Sequence, residues 1–254
     1  IKNEDKINQL WKITSHDLNG DNSQIDNYLS SLNRYTAVDF IDNPEKNEKS
    51  YLKNSQISIV LNLEPNGNSK TLTIGESKIS NSDTVHYGFE SGKSNIFLIS
   101  NNDKKSLMKD SFYFQDKKLV DYDENNINEI NIIGAYQLSV MNEDSLGWYI
   151  SSDSTIKLDK VDMNRLFSAI NGIQAVELVK SKNQDSFGIN EPFIEVLFND
   201  SENNKKGFII GNSDNNLNRY VKSNAAKTIY KATNNSIERL TNLINELKGV
   251  ESIE

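Results

Sequence analysis

Ser23-Gln-Ile25-Asp-Asn-Tyr28-Leu29-Ser-Ser-Leu32 and Val161-Asp-Met163-Asn-Arg-Leu166-Phe167-Ser-Ala-Ile170 together decide the fold. In each, apolar residues stand at i, i+3, i+4 and i+7, which puts four side chains on one face of an α-helix. Adding 138 to Ile25, Tyr28, Leu29 and Leu32 gives Met163, Leu166, Phe167 and Ile170. Ser23 is placed to cap the first helix, with Asp26 near its positive end. Asp159 is placed to cap the second, and Gly172 to end it in a left-handed conformation. The spacing predicts helices over 24–34 and 160–171.

The flanks repeat as well. Trp11-Lys-Ile13 precedes the first helix and Trp148-Tyr-Ile150 the second. Ala37-Val-Asp-Phe-Ile41 follows the first and Ala175-Val-Glu-Leu-Val179 the second, both reading as short strands. Further on, Ile57–Leu61 parallels Phe193–Leu197, and Leu72-Thr-Ile-Gly75 parallels Phe208-Ile-Ile-Gly211. His86-Tyr87 falls opposite Arg219-Tyr220, Ile96-Phe97 opposite Ile229-Tyr230, and Leu107 opposite Leu240. Order is kept while the offset drifts from 138 to 133, as small loop deletions would produce.

Each copy reads strand, helix, strand, variable loop, four strands, helix. Polar turns such as Pro65-Asn-Gly67 and Glu90-Ser-Gly92 join the later strands. The expected fold is α+β: two tandem copies of a mostly antiparallel sheet with helices packed on it. A polar stretch, Asp121–Asn126, sets the expected domains at 1–122 and 123–254. The second copy opens with strands around Ile130–Ile132 and Tyr136–Val140, turned at Gly134, for which the first copy has little. The first repeat is therefore expected to be N-terminally incomplete and its sheet one strand short beside residues 1–13, or that edge covered by another chain.

Composition narrows the function. A formal net charge of −8, with no cluster of Lys and Arg, argues against nucleic acid as a partner. With no cysteine there is no disulfide, thiolate metal site or cysteine nucleophile. No apolar run approaches the roughly 18 residues of a membrane span.

Motifs that suggest chemistry fail on spacing or context. Gly88-Phe-Glu-Ser-Gly92-Lys93-Ser94 has three residues between its glycines where a phosphate loop has four, and it lies between strands. Asp17-Leu-Asn-Gly-Asp21-Asn22-Ser23 lacks the spacing of a calcium loop and reads as a turn into a helix cap. The two histidines, His16 and His86, are expected to be solvated, since Arg219 stands opposite His86. Glu191 and Glu195 lie at and within a strand, but a carboxylate pair is defined by spatial separation. Trp11 and Trp148 are expected to supply buried area rather than a stacking platform. No catalytic, cofactor-binding or metal-ligating residue is assigned, the chain is read as not an enzyme, and no cofactor is expected.

Strands bearing Trp11 and Trp148, each followed by helix, strand, loop and a strand closing on Ile74-Gly75 or Ile210-Gly211, resemble the bacterial domain of unknown function DUF4340. So does the junction Phe114-Gln-Asp-Lys-Lys-Leu119-Val-Asp-Tyr-Asp123 with Ile127-Asn-Glu-Ile130. The resemblance covers nearly the whole chain. It implies a protein tethered to the membrane by an N-terminal helix and encoded beside ABC transporters of the gliding-motility type. The implied function is a non-catalytic extracytoplasmic accessory module of such a complex, with transporter subunits as partners. The alternatives are a surface-exposed ligand- or envelope-binding protein and, more weakly, a carboxylate-based hydrolase. The family has no catalytic residues to carry over. An apolar segment of about 20 residues encoded before Ile1 is expected, and the sequence of the complete reading frame checks it.

Overall fold

The computed structural model describes residues 1–5, 10–14, 18–63, 67–180, 185–214 and 217–249. Two compact units form, Ile1–Asp116 and Lys117–Glu254. Both are antiparallel sheet with helices, an α+β architecture in two tandem copies.

In the first unit, β1 (Lys2–Asp5), β2 (Leu10–Ile13) and β3 (Leu18–Asn19) precede helix α1 (Asn22–Leu32). There follow β4 (Asp39–Ile41), α2 (Lys46–Ser50), β5 (Ile57–Leu63), β6 (Asn68–Ser80), β7 (Asp83–Glu90) and β8 (Ile96–Ser100). Two short helices, α3 (Asn101–Leu107) and α4 (Ser111–Phe114), end it. The strands form two sheets, ordered β1-β2-β3 and β4-β8-β7-β6-β5.

The second unit opens with β9 (Ile127–Gly134), β10 (Leu138–Glu143), β11 (Gly147–Ile150) and β12 (Asp153–Lys157), then α5 (Lys160–Asn171). It continues through β13 (Glu177–Leu178), β14 (Ile194–Asp200), β15 (Lys205–Ser213), β16 (Asn218–Ser223) and β17 (Tyr230–Thr233) to α6 (Asn234–Leu247). Here all strands join one nine-stranded sheet, β12-β11-β10-β9-β14-β15-β16-β17-β13. The Asp121–Asn126 stretch belongs to this unit, and Tyr122 stacks on Phe198 with ring centres 4.2 Å apart.

The helical faces read from sequence are the buried ones. Met163, Leu166, Phe167 and Ile170 of α5 are buried, and Trp148 meets Phe167 edge-on at 6.3 Å. On α1 only Ile25 is fully buried, while Tyr28, Leu29 and Leu32 are half-buried. Two end assignments need correction. Asp21, not Ser23, caps α1, its carboxylate accepting from the Gln24 N–H at 3.0 Å, so the helix starts earlier than predicted. Gly172 ends α5 at φ −70° and not in the left-handed region. Asp159 does cap α5, in a capping box with Asp162. Glu90-Ser-Gly92 turns β7 into β8, with Gly92 at φ +85°. Pro65 and Asn66 lie outside the described residues.

One register also shifts. Ile57 pairs with Ile74 in the first unit, and Ile194 with Ile210 in the second. Since Ile74 and Ile210 each precede the repeated glycine, Ile57 corresponds to Ile194 and not to Phe193. A slip of one residue in a strand exchanges its two faces. The corrected register aligns Ile57, Ile59 and Leu61 with the fully buried Ile194, Val196 and Phe198.

The repeated Ile-Gly pair has a steric cause. A Cβ on Gly75 would lie 2.1 Å from the Tyr51 carbonyl oxygen, and one on Gly211 2.0 Å from that of Phe187. Tyr51 stacks on Tyr87 at 4.8 Å, and Phe187 on Tyr220 at 4.1 Å. Both ladders also shift register just past the glycine, between Ile74 and Ser77 and between Ile210 and Ser213. Each unit thus presses a loop against a strand at the same place, and only a residue without a side chain fits.

Gly75→Ala and Gly211→Ala should each destabilise at or above the top of the roughly 1–3 kcal/mol usual for overpacking, because the clash is with backbone. Phe167→Asp should cost several kcal/mol and Leu29→Asp clearly less, because only Phe167 is fully buried. Urea titrations of the four variants check the order.

Candidate functional site

The two units match strand for strand except at one place. β10, β11 and β12 correspond to β1, β2 and β3. β14 to β17 correspond to β5 to β8, and β13 to β4. Cross-strand partners support this: Asn3 faces Trp11 as Asn142 faces Trp148, and Phe40 faces Phe97 as Leu178 faces Tyr230. Among the described residues β9 has no counterpart. In the second unit β9 is bonded on one side to β10 and on the other to β14. In the first unit β1 and β5 are therefore each the edge of a separate sheet.

Helix α1 packs against both of those sheets. Ile25, Tyr28 and Leu29 join Trp11, Ile13 and Phe114, while Leu32 joins Ile57, Ile59 and Ile74. The apolar residues of β5 that face the helix side are only half-covered: Ile57, Ile59 and Leu61 are each part-exposed. Their counterparts Ile194, Val196 and Phe198 are 0 % exposed, with Ile132 and Ile130 of β9 beside Val196 and Phe198 in the sheet. Among the described residues β5 is thus an edge strand that carries part-exposed apolar side chains.

A second surface lies on the second unit. A groove of about 530 Å³ runs along α5 and α6, lined by Val161, Arg165, Ser168, Arg239, Leu243 and Glu246. The Arg165 guanidinium donates to both carboxylate oxygens of Glu246, at 2.8 and 2.6 Å. This fork raises the Arg165 pKa and lowers that of Glu246. Val161 stands 63 % exposed at the groove.

The residues singled out from sequence are dispersed and have structural roles. Gly88 lies within β7, where a Cβ would meet the Phe97 ring at 2.1 Å, and the Lys93 N–H donates to the Glu90 carbonyl in a turn. His86 is buried, not solvated. It lies between β6 and β8 in its sheet, with Nε2 3.2 Å from Asn101 Oδ1. Sequence misjudged it because Arg219, at the matching position, uses a different contact: its guanidinium lies 3.7 Å from the Phe193 ring centre and donates to the Gly211 carbonyl. Burial lowers the Arg219 pKa. His16 and Asp17 fall outside the described residues. Glu191 is exposed outside the strand, and Glu195 accepts from Asn224 at 3.1 Å. Trp11 and Trp148 are both half-buried against helix side chains.

The groove pair Arg165–Glu246 was not anticipated. It joins residues 81 apart in sequence, and each alone reads as a solvated helix charge. Lys231 is similar, bridging Asp214 at 3.1 Å and Glu177 at 3.2 Å across the β13–β17 edge. Among the described residues no group of three or more His, Asp or Glu is arranged to hold a metal ion, and no helix is long and apolar enough to cross a membrane.

The profile of the domain of unknown function DUF4340 matches this chain twice, over residues 11–147 and 148–248. The chain belongs to the DUF4340 family. No curated protein and no solved structure matches it. Both DUF4340 matches start on a tryptophan strand or directly at its tryptophan, the frame in which the repeat reads. The first match ends after β10, so β9 and β10 count with the first sequence copy while completing the sheet of the second unit.

Tyr28 of α1 gives a pH test. Its hydroxyl donates to the Leu107 carbonyl at 2.9 Å, and burial, with Tyr35 and Tyr113 nearby, pushes its pKa from 10.0 up to about 12. A raised folded-state pKa means that this contribution to stability is complete below the unfolded value and is lost as pH rises toward the folded one. Tyr28→Phe should therefore narrow its stability difference from the parent between about pH 9.5 and about pH 11.5. Denaturant titrations across that window check it.

Proposed function

We propose that this protein is a non-catalytic interaction module, an extracytoplasmic accessory subunit of a bacterial membrane ABC transport complex held at the membrane through an N-terminal anchor. The observation that carries the interaction reading is that, among the described residues, β5 has a strand partner on one side only. An exposed strand with unpaired N–H and C=O groups along one side is a ready surface for another chain, and proteins normally cover or blunt it. Ile57, Ile59 and Leu61 add a half-covered apolar strip beside that edge. Membership of DUF4340, together with what the resemblance implies, supports a transporter partner and the extracytoplasmic location. The net charge of −8 favours a protein partner over nucleic acid.

The α5–α6 groove favours a second reading, a surface-exposed protein that binds a ligand or an envelope component. Its volume of about 530 Å³ lies within the range of small-molecule sites, and Arg165, Arg239 and Glu246 supply polar anchors. Gene neighbours separate the two readings, since an adjacent permease and ATPase favour the first.

Crosslinking in intact cells, followed by purification of the full-length protein from membranes, tests the proposal. ABC permease and ATPase subunits are expected in stoichiometric amounts. Recovery from the soluble fraction alone, without transporter subunits, refutes it.

A further inference from the structure

We propose that the α5–α6 groove of the second unit binds a small monocarboxylate with a short aliphatic body, its carboxylate seated on Arg239. This rests on the ligand-binding reading of that groove given above and names the chemistry of the ligand. The groove runs beside the buried faces of the two helices. Val161, Arg165 and Ser168 line it at i, i+4 and i+7 on α5, and Arg239, Leu243 and Glu246 do so with the same spacing on α6. Ala169 and Leu243 give it an apolar lining that is itself almost covered, and Val161 adds an exposed methyl pair. The first unit has no equivalent. Its α3 ends at Leu107, opposite Leu240, so the part of α6 that carries Leu243 and Glu246 has no helical counterpart there among the described residues.

Charge selects the ligand. Three ionised side chains line the groove, Arg165, Arg239 and Glu246. Both carboxylate oxygens of Glu246 are taken by Arg165, and Asp162, one turn earlier on α5, adds a second negative charge near that guanidinium. Arg165 is therefore compensated, and Arg239 is not. Among the described residues Arg239 makes no ion pair or hydrogen bond through its side chain. The positions three and four away on α6 hold Asn235, Ser236, Asn242 and Leu243, none of them acidic. One positive charge is thus left over in the groove of a chain whose net charge is −8. The side chains of Asn164, Ser168 and Asn242 also line the groove and bond to nothing else among the described residues. A guanidinium presents a planar fork that matches a carboxylate, and the amide and hydroxyl groups add further donors. A single surplus positive charge suits a monoanion, whereas a phosphate monoester would bring nearly two negative charges. The apolar lining from Val161, Ala169 and Leu243 then takes the aliphatic body.

An NMR titration of the 254-residue protein with isocaproate tests this, read at the methyl groups of Val161 and Leu243. Isocaproamide, with the same body and no charge, and acetate, with the same charge and almost no body, are the controls. We expect saturable shifts of both residues with isocaproate near neutral pH. Binding should weaken about fivefold with isocaproamide, and by a similar factor for isocaproate in Arg239→Gln. Arg239 is exposed, so this variant keeps the fold. Absence of saturable shifts at the two residues overturns the groove as a site. Equal binding of isocaproamide, or undiminished binding of isocaproate to Arg239→Gln, overturns the carboxylate assignment and leaves the ligand-binding reading standing. Acetate binding as well as isocaproate overturns the aliphatic body. Shifts of the same methyl groups that grow with protein concentration alone assign this face to a second copy of the chain and overturn the small ligand.

Discussion

The hydrogen bonding of β9 to β10 on one side and to β14 on the other holds the second unit in a single sheet. Without that strand, β10–β12 and β14–β17 with β13 would be two separate sheets, which among the described residues is the arrangement of the first unit, where α1 packs against both. The strand also covers the core. Burying Ile130 and Ile132 contributes on the order of 3–6 kcal/mol by area, and it lets Val196 and Phe198 be fully enclosed. The first unit makes the same helix–sheet contacts on α1 with less cover, so its Tyr28, Leu29, Ile57 and Ile59 stay half-exposed.

What the units share beyond the sheet is a clamp. A loop carbonyl rests on Gly75 or Gly211, and the residue that bears it, Tyr51 or Phe187, stacks on Tyr87 or Tyr220. The contact passes from loop to the β6–β7 or β15–β16 pair, at the point where the ladder slips register. Such a bulge bends a strand and increases local twist. The glycine, the aromatic pair and the bulge form one device, and this explains why Ile-Gly recurs while the loops around it vary.

Much of this was legible in the sequence. The helical faces of α1 and α5, the tryptophan strands, the Ile-Gly closures and the unmatched opening strand all follow from local periodicity and ordered repeats, because covalent order carries them. What was not legible depends on partners distant in sequence. The pairing of Ile57 with Ile194 across the repeats was off by one, since two adjacent apolar residues, Phe193 and Ile194, fit a strand equally well until Ile210 fixes the register. His86 read as solvated because a polar residue on a strand gives no sign of the sheet neighbours, Ser77 and Ile99, between which it lies. Ser23 read as the α1 cap because Asp21, Asn22 and Ser23 are all good caps, and only backbone geometry chooses among them. The Arg165–Glu246 fork requires α5 and α6 to be neighbours, which no local pattern states.

The frame of the DUF4340 matches and the frame of the folded units differ by a strand pair. In sequence the period runs from Trp11 to Trp148, so β9 and β10 close the first match. In space those strands lie beside β14 and β11 and complete the second unit. A sequence period and a folding unit coincide only when every strand bonds within its own copy. Here the strands that complete a sheet precede its tryptophan strand, so a copy read from tryptophan to tryptophan omits the element that joins its two sheet halves. Among the described residues, the edge of β5 lies at the position that β9 occupies beside β14 in the second unit. The half-covered apolar strip of the first unit corresponds to the face that, in the second unit, Ile130 and Ile132 of β9 help to enclose.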